Sequence, residues 1–172
     1  MPGKPIAGGL AAAVWGLTDD VAARLDQVRA QLPQGHSGMG TTLSANALAL
    51  AAMHGALTEV MTDEAYAHME LLAAKLEAGL AQVIEGAQLP WHVGRIGARV
   101  EFIFAAHPLK NGTEAEARHI HLVQSAVHLG LLNRGALIAP FHKMMLVSPA
   151  TSEADVARLV AAFEETVEAL RG

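Results

Sequence analysis

Residues 91–106, WHVGRIGARVEFIFAA, decide whether the chain is all helical or mixed. Near the end of this stretch, apolar side chains recur at every second position: Val100, Phe102 and Phe104. The positions on the other face are Arg99, Glu101 and Ile103. Because successive side chains of a strand point to opposite faces of a sheet, this spacing predicts a strand with one buried face. The chain is therefore expected to combine helices with a sheet.

The sequence before this strand is helical in pattern. A helix is predicted over residues 19–32, capped by Thr18, and a second one begins at Ser44. The second helix, over 44–61, carries hardly a charge and is expected to be buried on most sides. Residues 62–86 predict a third helix, because apolar side chains recur three or four residues apart. Its predicted apolar stripe is Tyr66, Met69, Leu72, Leu76, Leu80 and Val83.

Beyond the strand, two capping signals mark further helices. Thr113 and Glu116 form a capping-box pair for a helix over 114–135, and Ser152 with Asp155 repeats the signal for a final helix. Residues 136–141 and 144–148 are predicted as short strands. The order strand, helix, strands, helix describes an α+β unit. We therefore expect two domains, residues 1–60 and 61–172.

Composition narrows the classes of function. The 172 residues are 52% hydrophobic and 17% charged, with 17 acidic and 12 basic side chains and no cysteine. The absence of a basic block argues against a nucleic-acid partner, and no run of 18 apolar residues predicts a membrane span. The lack of cysteine suits a reducing compartment, so a cytoplasmic location is expected. So apolar a chain is expected to cover part of its surface with another subunit or segment.

Two familiar site patterns fit the sequence poorly. The nine histidines have no metal-ligand spacing, so no metal site is predicted. The stretch GHSGMG, residues 35–40, resembles the nucleophile elbow of a serine hydrolase around Ser37, but methionine occupies the position where the second glycine is needed. A hydrolase that uses Ser37 remains a remote alternative.

The first residues allow two interpretations. GKPIAGGLAAAVWG, residues 3–16, contains one lysine and an apolar run, as a secretory signal peptide does. However, Gly8 and Gly9 interrupt the run where a signal helix should be strongest. Alone, Lys4 is an ordinary solvated lysine, but about two dozen residues later the sequence continues with GTTLSANALAL, residues 40–50.

Together, these two motifs resemble the class III, fold-type I pyridoxal-phosphate aminotransferases, a group that includes the glutamate-1-semialdehyde aminomutases. The resemblance implies an α/β fold, with residues 1–60 as a remnant of the large cofactor-binding domain (lysine strand, phosphate loop and interdomain helix) and 61–172 as the α+β small domain. It implies that Lys4 is the catalytic Schiff-base lysine. It also implies that Thr42, assisted by Thr41, binds the phosphate of pyridoxal 5'-phosphate in a neighbouring subunit.

The resemblance covers essentially all of this chain but only the C-terminal part of such an enzyme. It implies amino-group transfer between an amino acid and a keto acid, in a homodimer. A catalytically inactive fragment or a dimerisation module that keeps the small-domain fold is the alternative. One departure concerns specificity: the aminomutases carry a glutamate near the position of Lys143, so an ordinary aminotransferase fits at least as well as an aminomutase.

Overall fold

A three-stranded antiparallel sheet organises the second part of the chain. The computed structural model describes residues 4–36, 45–118, 120–138 and 143–172. Strands β1 (His92–Ile96), β2 (Arg99–Ile103) and β3 (Met144–Leu146) pair in the order β1-β2-β3. Gly97, with φ of 56°, forms the tight turn between β1 and β2, a backbone conformation that glycine adopts without strain. The stretch predicted as one strand is therefore a hairpin of two.

The alternation predicted for the hairpin is confirmed. Val100 and Phe102 are 0% and 1% exposed, and Phe104 just beyond β2 is 4% exposed. The rings of Phe102 and Phe104 pack with other aromatic side chains. The ring centroid of Trp91 lies 4.7 Å from that of Phe104, and the ring centroid of Phe163 lies 5.0 Å from that of Phe102. The buried face of the sheet is thus held mainly by aromatic contacts.

Two long helices cover this face. Helix α3 (Asp63–Gly86) and helix α6 (Glu153–Arg171) pack on one another, and both match their predicted positions. The capping box of α6 is confirmed: the Ser152 Oγ accepts a hydrogen bond from the Asp155 amide at 3.2 Å, and the Asp155 carboxylate accepts one from the Ser152 amide at 2.9 Å. The buried apolar residues of the two helices are Leu72, Ala73, Leu76, Leu80, Ile84, Val156, Ala162, Phe163 and Val167.

The helix predicted over 114–135 is wrong in one respect, because the structure has two helices there. Helix α4 (Gly112–Ala117) ends before Arg118, and α5 (His121–Asn133) begins after Ile120. The cap of α4 is Asn111, whose side chain accepts a hydrogen bond from the Glu114 amide at 2.9 Å, and not the Thr113 and Glu116 pair. Asparagine is the stronger capping residue, which explains the earlier start. The end of α5 is as predicted, since Gly135 follows with φ of 79°.

The chain divides into two compact units, Met1–Thr62 and Asp63–Gly172. The sheet, α3, α4, α5 and α6 belong to the second unit, which contains the aromatic core. The first contains a 3₁₀ turn (Lys4–Ala7), α1 (Asp19–Arg29), α2 (Ala47–Gly55) and a π-helical turn (Ala56–Val60). In the described part of the chain, no helix combines the length and the apolar character needed to cross a membrane.

Three expectations for the first unit are wrong. The lysine strand is absent from the described residues 4–18, where the 3₁₀ turn is followed by irregular, mostly exposed chain. Thr18 precedes α1, but its side chain forms no capping hydrogen bond. The helix expected to be buried on most sides exposes its apolar residues, since Leu48 and Leu50 are 68% and 48% exposed. The first and the third of these outcomes have a common physical reason. Among the described residues of this unit, an extended segment near Lys4 has no strand to pair with, and the outer face of α2 stays uncovered.

Candidate functional site

The 3₁₀ turn Lys4–Ala7 holds the backbone of the predicted catalytic lysine. Its last two residues are buried, Ile6 at 7% and Ala7 at 1% exposure, and the turn packs against α2 and the π-helical turn of the same unit. The Ala7 carbonyl accepts a hydrogen bond from the Leu10 amide at 3.1 Å. The side chain of Lys4 lies outside what the structure describes. The lysine backbone is thus attached to a small apolar contact rather than to a sheet.

Two glycines follow this turn with left-handed backbone conformations. The φ angles of Gly8 and Gly9 are 59° and 103°. A Cβ added at either position would meet no heavy atom within 4 Å. Glycine is therefore required here by the backbone conformation, while the space beside it stays open.

The two predicted phosphate-binding threonines, Thr41 and Thr42, precede α2 in the sequence. Thr41 and Thr42, like Ser37, lie outside the described residues. The structure does show what caps α2: the Asn46 side chain accepts a hydrogen bond from the Ala49 amide at 2.9 Å. The Asn46 side chain therefore supplies the cap of α2. The hydroxyl groups of Thr41 and Thr42 are not needed to cap α2.

Lys143 stands out in the second unit because it is charged and buried. It is 8% exposed and lies immediately before β3, where it shares the core face of the strand with Met145 and Val147. Its ammonium lies 5.0 Å from the centre of the Phe104 ring. Sequence reasoning singled out Lys143 as a departure from the aminomutases, but burial could not be read from the pattern.

Two carboxyl groups with clearly shifted pKa values lie at the start of α6. Hydrogen bonds from Ser152 lower the pKa of Asp155 to about 2, with Arg158 contributing. The hydrogen bond from Lys75 lowers the pKa of Glu153, because it stabilises the charged carboxylate. Both shifts follow from helix capping and surface pairing. They mark how α6 is anchored and not a general acid or base.

Cavities in the second unit offer little chemistry of their own. One of about 610 Å³ is lined by Arg134 and Arg158, but these cations are engaged by Glu165 and Asp155, respectively. An apolar groove of about 390 Å³ lies between Trp91 and Leu170. Within the described residues, no cluster of three or more histidine and acidic side chains is placed to hold a metal ion. The cofactor motifs of the first unit thus remain the main candidate site.

Comparison with known proteins identifies relatives that match nearly the whole chain. No family model matches it. It is 34% identical over 161 residues to the glutamate-1-semialdehyde 2,1-aminomutase of Anaeromyxobacter sp. (strain K), covering 93% of this chain and 36% of that enzyme. It is 29% identical to glutamate-1-semialdehyde 2,1-aminomutase 2 of Bacillus thuringiensis (strain Al Hakam), over 98% of this chain and 38% of the relative.

Solved structures give the same result. A lysine-to-alanine variant of a glutamate-1-semialdehyde aminomutase from Pseudomonas aeruginosa PAO1, in complex with PMP, superimposes with a TM-score of 0.91 at 46% identity. That match covers 96% of this chain and 38% of the aminomutase. A β-phenylalanine aminotransferase from Variovorax paradoxus matches with a TM-score of 0.80 at 26% identity, over 97% of this chain and 37% of that one.

These relatives are pyridoxal-phosphate-dependent enzymes of the class III type, and the chain matches a C-terminal portion of them, about 37% of their length. The resemblance inferred from the two motifs is therefore confirmed, and so is the fold class, the C-terminal part of a fold-type I transferase. The matches extend over both units of the chain.

Proposed function

From this match to a C-terminal portion of the class III aminotransferases and aminomutases, we propose that the chain contributes to pyridoxal-phosphate-dependent amino-group transfer, with Lys4 as its catalytic lysine. The observation that carries the proposal is the pair of motifs around Lys4 and Thr42 in a chain that matches these enzymes over nearly its whole length. The expected reactants are an amino acid and a keto acid. We place the reaction in the cytoplasm, in line with a chain that contains no cysteine.

The residues present suit the cofactor chemically. When bound, pyridoxal phosphate supplies an aldehyde and an electron-withdrawing ring. Lys4 offers the primary amine that such an aldehyde needs, and its Nζ is the group that removes a proton from the substrate Cα and later returns one. Gly8 and Gly9 leave open space beside the lysine turn. The hydroxyl groups of Thr41 and Thr42 are suited to donate hydrogen bonds to a phosphate, since Asn46 caps α2 in their place.

The proposal includes a homodimer in which Thr42 serves the cofactor of the neighbouring subunit. The exposed apolar residues of α2 and the π-helical turn, among them Leu48 at 68% and Val60 at 51% exposure, support an additional contact for this unit. Because the aminomutases carry a glutamate near the position of Lys143, the proposal keeps both reactions, that of an ordinary aminotransferase and that of an aminomutase.

A second candidate is favoured by the burial pattern. In the described part of Met1–Thr62, Ile6, Ala7 and Ala49 are the buried apolar side chains, whereas the described residues of Asp63–Gly172 form an extensive core. A chain with so small a core around its lysine could be catalytically silent and serve as a dimerisation module. Turnover by this chain separates the two candidates.

The test measures which of the four lysines of the chain the cofactor prefers: Lys4, Lys75, Lys110 or Lys143. The chain is mixed with pyridoxal phosphate and treated with borohydride, which fixes the cofactor on the lysine that holds it. The chain is then digested, and mass spectrometry identifies the modified lysine. We expect Lys4 to be modified well above the exposed Lys110. Thr42→Val should lower the modification of Lys4, and the control Thr113→Val should not. Equal labelling of all four lysines would show that Lys4 is not special. In a separate, unreduced sample, conversion of L-glutamate and pyruvate to 2-oxoglutarate and alanine identifies an enzyme, and labelling without conversion identifies the silent module.

A further inference from the structure

One asparagine of the chain is followed directly by a glycine. The chain contains three asparagines, Asn46, Asn111 and Asn133, and the next residue is alanine, glycine and arginine, respectively. Asn111 and Gly112 are both exposed and lie at the start of α4. A glycine has no Cβ, so its backbone nitrogen can approach the preceding side chain with the least steric hindrance. Asn111 is therefore the asparagine whose side-chain amide is most open to attack by the chain itself.

The structure holds this pair through the cap of α4 and through few other contacts. Asn111 has extended backbone, with φ of -160° and ψ of 171°, and its Oδ1 accepts a hydrogen bond from the Glu114 amide at 2.9 Å. The Glu114 carboxylate in turn accepts a hydrogen bond from the Lys110 amide at 2.8 Å. All six residues of α4 are exposed or half-buried. A helix this short, with little tertiary packing, is marginally stable, so its first turn opens readily.

Ring closure between Asn111 and Gly112 uses such an opening. In the capped state the side-chain oxygen is held at the Glu114 amide, and the extended backbone keeps the Gly112 nitrogen away from the Asn111 Cγ. Once the turn opens, this nitrogen gives its proton to solvent and attacks Cγ. A C–N bond forms, the bond from Cγ to Nδ2 breaks, and the side-chain nitrogen leaves as ammonia with a proton from solvent. Water then opens the five-membered ring at one of its two carbonyl carbons, which yields aspartate or isoaspartate.

We propose that Asn111 is a spontaneous deamidation site, at which the folded chain converts the cap of α4 into aspartate and isoaspartate with water as the only co-reactant. The two products differ in their effect on α4. Aspartate keeps a side-chain oxygen that caps a helix as well as asparagine does. Isoaspartate adds a methylene group to the main chain, which displaces the cap from the Glu114 amide. The modification thus loosens the start of α4 as the protein ages, and it is independent of cofactor attachment at Lys4.

The unmodified chain contains its own control. Asn46 caps α2 through a hydrogen bond of the same length, 2.9 Å to the Ala49 amide, but it is followed by Ala47. The 172-residue chain is incubated at neutral and at mildly alkaline pH. It is then digested and analysed by mass spectrometry, and an isoaspartyl methyltransferase measures isoaspartate. We expect Asn111 to be converted at least about tenfold faster than Asn46, because Ala47 carries the Cβ that Gly112 lacks. The rate should rise with pH, since the attacking nitrogen has to lose its proton.

Two substitutions separate the effect of the sequence from that of the fold. Gly112→Ala should slow the conversion of Asn111 about tenfold. It should keep α4, because a Cβ at this position would meet no heavy atom within 4 Å. Ala115→Gly should speed the conversion about fivefold by weakening α4, whereas the control Ala81→Gly, at an exposed position of α3, should leave the rate unchanged. An unchanged rate in Gly112→Ala would overturn the proposal. Equal persistence of Asn111 and Asn46 in the unmodified chain would also overturn it, whatever the variants do.

Discussion

Gly130→Ala should test how α5 and α6 are packed. A Cβ at Gly130 would lie 2.4 Å from the Cγ2 of Thr166 and 3.0 Å from its Oγ1, whereas unstrained carbon contacts lie at about 3.5–4.0 Å. Thr166 has little room to move, because it is 1% exposed and its hydroxyl donates a hydrogen bond to the Ala162 carbonyl at 2.7 Å. Overpacking costs about 1–3 kcal/mol and loss of the hydrogen bond about 1 kcal/mol, against a helix-propensity gain of up to about 1 kcal/mol for alanine. We expect a net destabilisation of about 2 kcal/mol.

Urea unfolding followed by helical circular dichroism measures this change. With a slope of about 1–3 kcal/mol per molar urea for a domain of this size, the midpoint should fall by about 1 M. Gly86→Ala in α3 is the matched control, because a Cβ there would meet no heavy atom within 4 Å. Adding Thr166→Ser to Gly130→Ala removes the clashing methyl group and should restore most of the loss. A Gly130→Ala chain as stable as the unmodified protein would refute the close packing of the two helices.

Two further predictions concern the same unit. Phe163→Ala should destabilise it by about 3–5 kcal/mol, because Phe163 is 0% exposed and its ring packs at a tilt against that of Phe102. Leu170→Ala on the same helix, where the side chain is 48% exposed, should cost less than about 1 kcal/mol in the same urea assay. Similar costs would contradict the core assignment. Ser152→Ala should cost about 1 kcal/mol by removing the α6 cap, with the exposed Ser125→Ala as its control. Because the folded pKa of Asp155 is depressed to about 2, its contribution to stability is present above about pH 4 and lost as the pH falls towards 2. The variant should show a flatter loss between these pH values, and an unchanged pH profile would argue against the capping box.

The parts of the fold that were predicted correctly depend on local rules. The alternation of Val100, Phe102 and Phe104 identified the buried face of the hairpin, because strand periodicity does not depend on distant partners. The capping box of Ser152 and Asp155 involves residues only three positions apart, so it could be identified in the sequence. The family resemblance was visible for a different reason, since two short motifs near Lys4 and Thr42 carry it.

The errors arise where competing local choices or missing neighbours decide the structure. Asn111 and Thr113 are both plausible caps, and the stronger one starts α4 earlier than the pattern suggested. The periodicity of 114–135 is the same on both sides of the helix break, so the break itself gave no signal. The lysine strand and the burial of α2 depend on contacts that this unit does not make by itself. Apolar composition predicts that covering a surface is favourable, but it does not predict whether a partner that covers it is present.

Stability and the proposed cofactor chemistry are therefore assigned to different parts of this chain. The aromatic core of Asp63–Gly172 is closed by its own helices and sheet, so that unit has the ingredients of an independent fold. The Lys4 turn is attached through Ile6 and Ala7, while Leu48 and Leu50 of its supporting helix stay exposed. A reactive group works efficiently only when its backbone is held with precision. Covering the exposed face of α2 would restrict the turn that carries Lys4, so the proposed dimer would do more than supply Thr42: it would also fix the lysine in the position that its chemistry requires.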